Sequence, residues 1–162
     1  HYAASTSYVD DNVGKLLAYL EKSGTTNNTI IILWGDHGFS LGEKAIWGKH
    51  HLYHTALHSP LIIKIPNQQT AGKPSDAVAE TVDIFPTLCE LANIPLPDGL
   101  DGMSLARVVS NPTTPSDGTA ISFWAGNKSI ITKDTHTILK KDQPFLKFDL
   151  TKDPHETNNL IK

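Results

Sequence analysis

Two side chains that could bind a metal, Asp36 and His37, directly follow an apolar run in this 162-residue sequence. The run, residues 30–34, is mostly β-branched and predicts a strand buried on both faces. A carboxylate oxygen suits calcium or magnesium, whereas an imidazole suits zinc, manganese or iron. The pair therefore predicts a metal site at a strand end without naming the metal. A simple chain reversal at Asp-His-Gly is the alternative interpretation, and these residues alone do not decide between the two.

The segment after this pair is rich in histidine, glycine and lysine. Five of the eight histidines fall between residues 37 and 58. Lys49 and His50 lie in a loop that is expected to return over the strand end, where a fixed positive charge could stabilise an oxyanionic substrate. In that role Lys49 and His50 would contact substrate and Lys49 would be catalytic, but a solvated surface lysine is the default interpretation of Lys49 taken by itself. His51 and His54 are interpreted as ordinary loop histidines.

A helix and two strands should position these side chains. Apolar residues at helical spacing predict a helix from about Tyr8 to Lys22, which Gly24 ends and which packs on the strand at 30–34. A helix followed by a strand that is apolar on both faces is half of a parallel α/β unit. Leu61–Ile65 predicts a second strand between two prolines. The segment between the strands has no clear period and is interpreted as a long functional loop.

Apolar residues recur at helical spacing from Val78 to Ala92 and predict a further helix. It can accommodate Pro86 only if Asp83 caps the helix and Pro86 lies in its first turn. Cys89 is the only cysteine of the chain, which excludes an internal disulfide, and it lies in an apolar helical pattern typical of a core residue. A short helix is predicted over residues 105–109.

The pattern changes after a Pro/Thr/Ser-rich linker at residues 111–118. Short strand-like runs separated by turn residues predict a small antiparallel sheet that packs against a helix. The runs cover residues 120–124, 128–132, 137–139 and 145–150. The predicted class is therefore α/β, with residues 1–112 in one domain and residues 113–162 in a small α+β subdomain.

Composition excludes several functional classes. The chain is 39% hydrophobic and 19% charged, with a formal net charge of -3, which is typical of a globular protein. This charge gives no electrostatic reason to expect nucleic acid or an anionic membrane surface as a partner. No apolar run is long enough to span a bilayer. The chain opens without a methionine and without a basic or long apolar segment, so no signal peptide is expected in it.

Several segments together resemble one enzyme family. Asp36-His37-Gly38, Gly42-Glu43, Trp47-Gly48-Lys49-His50 and residues 59–63 resemble the second conserved block of the sulfatases. Iduronate-2-sulfatase-like and related bacterial sulfatases look most similar. Four further segments resemble family segments in the same order along the chain: residues 8–14, 82–88, 100–105 and 148–160.

The resemblance implies a fold and a set of roles. It implies part of an alkaline phosphatase-like α/β sandwich and hydrolysis of sulfate esters by a formylglycine nucleophile. By position, Asp36 matches a calcium-binding carboxylate, His37 matches the next ligand and Lys49 matches a lysine that contacts the sulfate. The Cys/Ser-X-Pro/Ala-X-Arg motif that yields formylglycine does not occur in the 162 residues. We therefore expect the C-terminal portion of a sulfatase, with residues 1–112 forming the last part of its catalytic domain.

The resemblance also implies partners and a location. The expected substrate is a sulfated sugar or glycosaminoglycan, and the expected protein partner is the missing N-terminal portion or another copy of the chain. A periplasmic or secreted location, or a lysosomal one in a eukaryote, is expected. One alternative is a zinc-dependent phosphodiesterase or phosphomutase of the same superfamily, which Gly42-Glu43 and Trp47-Gly48-Lys49 disfavour. The other is a non-catalytic fragment that needs a partner chain.

Overall fold

The computed structural model describes residues 1–115 and 118–161. Its α-helices are α1 (Tyr2–Lys22), α2 (His54–Leu57), α3 (Ile84–Leu91) and α4 (Ala106–Ser110), and short 3-10 turns cover Thr26–Asn28, Glu43–Ala45 and Thr81–Asp83. Its strands are β1 (Ile31–Trp34), β2 (Ser40–Leu41), β3 (Trp47–Gly48), β4 (Leu61–Lys64), β5 (Ala120–Trp124), β6 (Asn127–Ile131), β7 (Thr135–Lys140) and β8 (Gln143–Asp149).

The first helix is longer than the apolar pattern predicts. α1 begins at Tyr2, and the hydroxyls of Ser5, Thr6 and Ser7 donate to carbonyls four residues earlier, which lets polar residues continue the helix. It ends at Lys22, and Gly24 follows with a φ of 71°, a left-handed conformation that glycine adopts readily. The predicted end of the helix is therefore confirmed.

The surroundings of β1 differ from the prediction. β1 pairs antiparallel with β4, with Leu33 opposite Ile62. The sequence predicts both strands but not the direction of their pairing, and the parallel α/β unit suggested by the helix and β1 stays a prediction. The chain returns through the β2–β3 hairpin and the four-residue α2 rather than through a long crossover helix, and such a helix is the usual connection between parallel strands. Burial of β1 on both faces is wrong within the described residues, because Leu33 and Trp34 are exposed.

The helix α1 does not pack closely on β1. A groove of about 700 Å³ lies between them, lined in part by Leu17, Leu20 and Ile31. Within Tyr2–Lys22 the helix has no buried residue. The predicted helix–strand packing is wrong in this respect, because the two elements border a shared groove that their side chains do not fill.

The segment around α3 follows the prediction in its backbone and departs from it in one side chain. Pro86 lies in the first turn of α3, as expected, and Cys89 is a buried free cysteine. The Asp83 carboxylate does not cap α3 but accepts hydrogen bonds from the amides of Glu80 and Met103, both at 2.8 Å. Asp83 thus joins the start of the helix to the chain 20 residues later.

The C-terminal half forms the predicted antiparallel sheet. Strands β5 to β8 pair consecutively in the order β5-β6-β7-β8, and Ile138 and Phe148 are among its buried apolar residues. Of the predicted linker at 111–118, residues 116 and 117 lie outside the described residues. The division into 1–112 and 113–162 stays a prediction.

Among the helices in the described ranges, none is both long and apolar enough to cross a bilayer.

Candidate functional site

The end of β1 brings Asp36 and His37 together. The Gly35 amide donates to the Pro60 carbonyl at 3.0 Å, which ties the strand end to the start of β4. Directly beyond it, Asp36 Oδ2 lies 3.3 Å from His37 Nε2. Asp36 is exposed and His37 is half-buried, so the pair is accessible at the surface of the chain.

The hydrogen bonds of His37 determine which of its nitrogens carries the ring proton and which carries the lone pair. Its Nδ1 lies 2.7 Å from the Gly38 carbonyl oxygen. A carbonyl oxygen only accepts, so Nδ1 carries the proton and Nε2 of the neutral ring presents a lone pair. The Lys49 ammonium donates to this Nε2. Asp36, His37 and Lys49, all predicted from the sequence, therefore lie in one cluster.

This cluster has the chemistry of part of a metal site. The Asp36 carboxylate oxygen and His37 Nε2 lie 3.3 Å apart, so the two side chains would be able to hold one cation together. In the described ranges, however, no group of three or more His, Cys, Asp or Glu side chains could hold a metal ion. The donor pair fits a partial site, and Lys49 supplies the positive charge next to it.

The short helix α2 contacts the backbone directly after Asp36 and His37. The Gly38 amide donates to the Ala56 carbonyl at 2.8 Å. A Cβ added to Gly38 would lie only 2.1 Å from the Thr55 carbonyl oxygen. Any side chain at position 38 would therefore push the backbone of this residue away from α2.

Both ring nitrogens of the half-buried His51 are hydrogen-bonded within the chain. The Tyr53 amide donates to its Nδ1 at 3.2 Å, so Nε2 carries the proton and donates to Ser40 Oγ at 3.0 Å. The Ser40 hydroxyl can then donate to Thr55 Oγ1 at 2.8 Å. Neither His51 nitrogen is left to bind a metal, which fits its interpretation as an ordinary loop histidine.

The ring of His54 also contacts other side chains of the chain. Its ring stacks on His58 with centroids 4.7 Å apart. Burial lowers the pKa of His54, the nearby charge of His58 lowers it further, and the Glu156 carboxylate opposes the shift.

His50 contacts the C-terminal sheet. Its ring stacks on Trp124 with centroids 4.8 Å apart and an interplanar angle of 5°. The two rings border a cleft of about 320 Å³ that Asn127, Lys140 and Phe145 also line. The sequence around Trp124 predicts only the end of a strand, because the contact with His50 spans more than 70 residues of chain.

Glu156 is a second residue whose contacts the sequence does not indicate. It lies in the segment 148–160, which the sequence distinguishes only by its resemblance to a family segment. In the structure Glu156 is buried and contacts His136 and the start of α2.

The chain matches known proteins over its whole length. The sulfatase family model matches residues 1–94. An N-acetylglucosamine-6-O-sulfatase of Bacteroides thetaiotaomicron is 34% identical over 99% of this chain and 31% of its own length. Human iduronate 2-sulfatase is 33% identical over 59% of this chain and 22% of its own length.

Solved structures give the same match. A structure described as bound to its substrate D-glucosamine-2-N,6-O-disulfate aligns with a TM-score of 0.85 at 33% identity, covering 94% of this chain and 34% of that one. This chain thus spans about a third of the length of the first curated relatives that it matches.

Proposed function

The chain belongs to the sulfatase family, and from this membership we propose that its full-length protein hydrolyses sulfate esters of sugars. Members of this family are generally metal-dependent. The observation that carries the proposal is the convergence of Asp36, His37 and Lys49 beyond β1. In this cluster two electron-pair donors face one another beside an ammonium group, an arrangement suited to a cation and an oxyanion together.

We propose that the Asp36 carboxylate and His37 Nε2 are two ligands of a calcium ion. The ion would supply positive charge to the sulfate oxygens. Asp36 is free to turn toward it because it is exposed. The Gly38 carbonyl holds the His37 ring in the tautomer that places the lone pair on Nε2, where a metal ion would replace the Lys49 ammonium. Zinc is the alternative metal, because imidazole nitrogen suits zinc better than calcium.

Lys49 would act on the substrate rather than on the metal. Its ammonium donates to the His37 Nε2 lone pair that a metal ion would take, so metal binding would release Lys49 from this nitrogen and leave its charge beside the ion for a sulfate oxygen. A fixed cation there stabilises charge that develops on the sulfate oxygens during cleavage. The formylglycine nucleophile would come from a part of the full-length protein other than these 162 residues.

The proposed substrates are sulfated sugars or glycosaminoglycan fragments. Support comes from the N-acetylglucosamine-6-O-sulfatase relative and from the neighbour described with D-glucosamine-2-N,6-O-disulfate. The cleft bordered by His50 and Trp124 offers flat ring faces with Asn127 and Lys140 at its edge. Such a mixture of aromatic and polar groups suits a sugar ring that carries charged substituents.

The remaining expectations concern the whole protein. We propose that residues 1–112 complete a catalytic domain and that residues 113–162 form its small C-terminal subdomain. The partner of the chain would be the rest of the enzyme or a second copy. A periplasmic or secreted location, or a lysosomal one in a eukaryote, would fit a sulfatase of extracellular sugars.

Substrate profiling of the full-length protein tests the proposal. We expect turnover of sulfated disaccharides to exceed turnover of an aryl sulfate and of a phosphate diester, with calcium bound to the purified protein. Asp36→Asn should lower the bound calcium. Preference for the phosphate diester with two bound zinc ions would favour the alternative enzyme, and absence of sulfate hydrolysis by the full-length protein would overturn the proposal.

A further inference from the structure

A buried polar network connects the segment after β8 (residues 150–161, here called the C-terminal segment) to the sheet. His136 is fully buried, and its Nε2 lies 2.7 Å from the hydroxyl of Ser129, which is also fully buried. Its Nδ1 hydrogen-bonds to Glu156 Oε1. Glu156 retains only 4% exposure. Serine, histidine and glutamate in this order have the composition of a catalytic triad, but burial of the serine leaves no route for a substrate.

The network holds Glu156 as a carboxylate. Burial would raise the pKa of Glu156, but the hydrogen bonds from the His136 ring and from the His54 amide lower the pKa below its usual value. An ionised carboxylate only accepts, so His136 Nδ1 carries the proton and donates to it. Buried charge of this kind is costly unless every oxygen is hydrogen-bonded.

The second oxygen of Glu156 contacts α2. Glu156 Oε2 accepts from the His54 amide at 2.9 Å, across 102 residues of sequence. His54 is the first residue of α2, and the residue before it, Tyr53, provides no side-chain cap. A helix of four residues cannot satisfy its own first amides. The Glu156 carboxylate therefore acts as a cap supplied by the C-terminal segment.

A second contact joins the C-terminal segment to the loop that precedes α2. Lys44 Nζ donates to the His155 carbonyl at 2.6 Å, and Lys44 lies in the turn between β2 and β3. The C-terminal segment thus contacts the loop on both sides of Lys49. Since α2 packs backbone to backbone on Gly38, a short series of contacts runs from Glu156 through α2 to the residue after His37.

We propose that Glu156 is a positioning residue for the candidate site, acting through α2 on Gly38 and thereby on His37. This inference rests on the proposed function only for its effect on catalysis. The buried Ser129–His136 pair orients the carboxylate, so that one oxygen is always directed at the start of α2. The C-terminal sheet would in this way set the geometry of a site that lies on another part of the fold.

Amide hydrogen exchange of the full-length protein tests the positioning role without requiring activity. In Glu156→Ala we expect exchange at Gly38 and across α2 to accelerate about tenfold or more, because the cap and its charged hydrogen bond are lost. Asp149→Ala is the matched control. Asp149 caps its own turn by accepting from the Thr151 and Lys152 amides, so this variant should leave exchange at Gly38 and α2 unchanged.

The conservative variant should restore the geometry. In Glu156→Gln the amide oxygen can accept from the His54 amide while the NH2 group donates to His136 Nδ1, if the His136 proton moves to Nε2 and is donated to Ser129. We expect exchange close to that of the unmodified protein. With a sulfated sugar, kcat/KM per folded molecule should fall about tenfold to a hundredfold in Glu156→Ala and recover in Glu156→Gln.

Each outcome decides the inference. Unchanged exchange at Gly38 in Glu156→Ala would overturn it, even if thermal stability fell. If Glu156→Ala does not fold, Glu156→Asp keeps the charge but is one methylene too short to reach both His54 and His136, and unchanged exchange there would overturn the inference. If the unmodified protein hydrolyses no sulfate ester, the proposed function fails, while hydrogen exchange still decides the positioning role.

Discussion

Lys49 donates to His37 Nε2 and is exposed, so its charge is available to a ligand on the surface of the chain. We predict that Lys49→Ala lowers kcat/KM of the full-length protein on a sulfated sugar by about a hundredfold to a thousandfold, because a fixed cation at the developing charge is lost. Steady-state kinetics measure this. Lys73→Ala, at an exposed lysine outside the cluster, is the control and should leave kcat/KM unchanged. If kcat/KM is also unchanged in Lys49→Ala, Lys49 does not contact the substrate.

His54 makes stability depend on pH near neutrality. Burial and the neighbouring His58 lower the pKa of His54 in the folded state. The unfolded chain therefore binds more protons as pH falls through about 6.5, and the free energy of unfolding decreases with falling pH. The groups around this ring are His58, Glu156 and His136.

We predict that His54→Gln flattens this dependence. Urea unfolding of the full-length protein between about pH 7.5 and 5.5 should show a smaller loss of stability on acidification than in the unmodified protein. His155→Gln, at an exposed histidine, should preserve the slope. A slope that is unchanged in His54→Gln would show that another group titrates.

At the scale of elements, the packing of α2 on the chain after β1 depends on one glycine. We predict that Gly38→Ala destabilises the protein by about 1–3 kcal/mol, because its Cβ would overlap the Thr55 carbonyl and the backbones must separate. Gly14→Ala is the control, since a Cβ at Gly14 in α1 meets nothing within 4 Å. That change should stabilise by up to about 1 kcal/mol.

Urea denaturation of both glycine variants measures the difference. A loss of metal binding in Gly38→Ala at pH values where the protein is folded would further connect α2 to His37. Tolerance of alanine at both positions would mean that α2 can move away from Gly38 at little cost.

At the scale of the whole molecule, the described residues expose much apolar surface. Trp47 is 75% exposed and Leu16 is 67% exposed, and β1 and β4 form a sheet of two strands with free edges. Surfaces and edges of this kind favour association with another chain. We predict that the 162-residue chain, produced alone, self-associates in a concentration-dependent way, which light scattering after size exclusion measures.

The same chain should lack a tight calcium site and sulfatase activity. Calcium takes about six to eight oxygen ligands, whereas the cluster offers Asp36 and an imidazole. Calorimetric titration should show no micromolar calcium binding, and a chromogenic sulfate ester should not be turned over. A monomer that binds calcium at micromolar concentration would contradict the first expectation, and measurable turnover of the sulfate ester would contradict the second.

Local pattern in the sequence determined most elements of this protein. The end of α1, the position of Pro86, the burial of Cys89 and the strands of the C-terminal sheet follow from apolar periodicity and from turn residues, which act over a few neighbouring positions. Asp36 and His37 could also be identified from the sequence, because their residue types stand out beside a strand end. Lys49 was identified mainly by the resemblance of its loop to the sulfatases.

Only the tertiary structure decided how these elements meet. An apolar run does not state the direction of its partner strand or the depth of its burial, so the antiparallel pairing of β1 with β4 and the open groove beneath α1 were not predictable from the run. The contacts of His50 with Trp124 and of Glu156 with His54 join residues far apart in the chain. Such contacts depend on the path of the whole backbone, which no local spacing encodes.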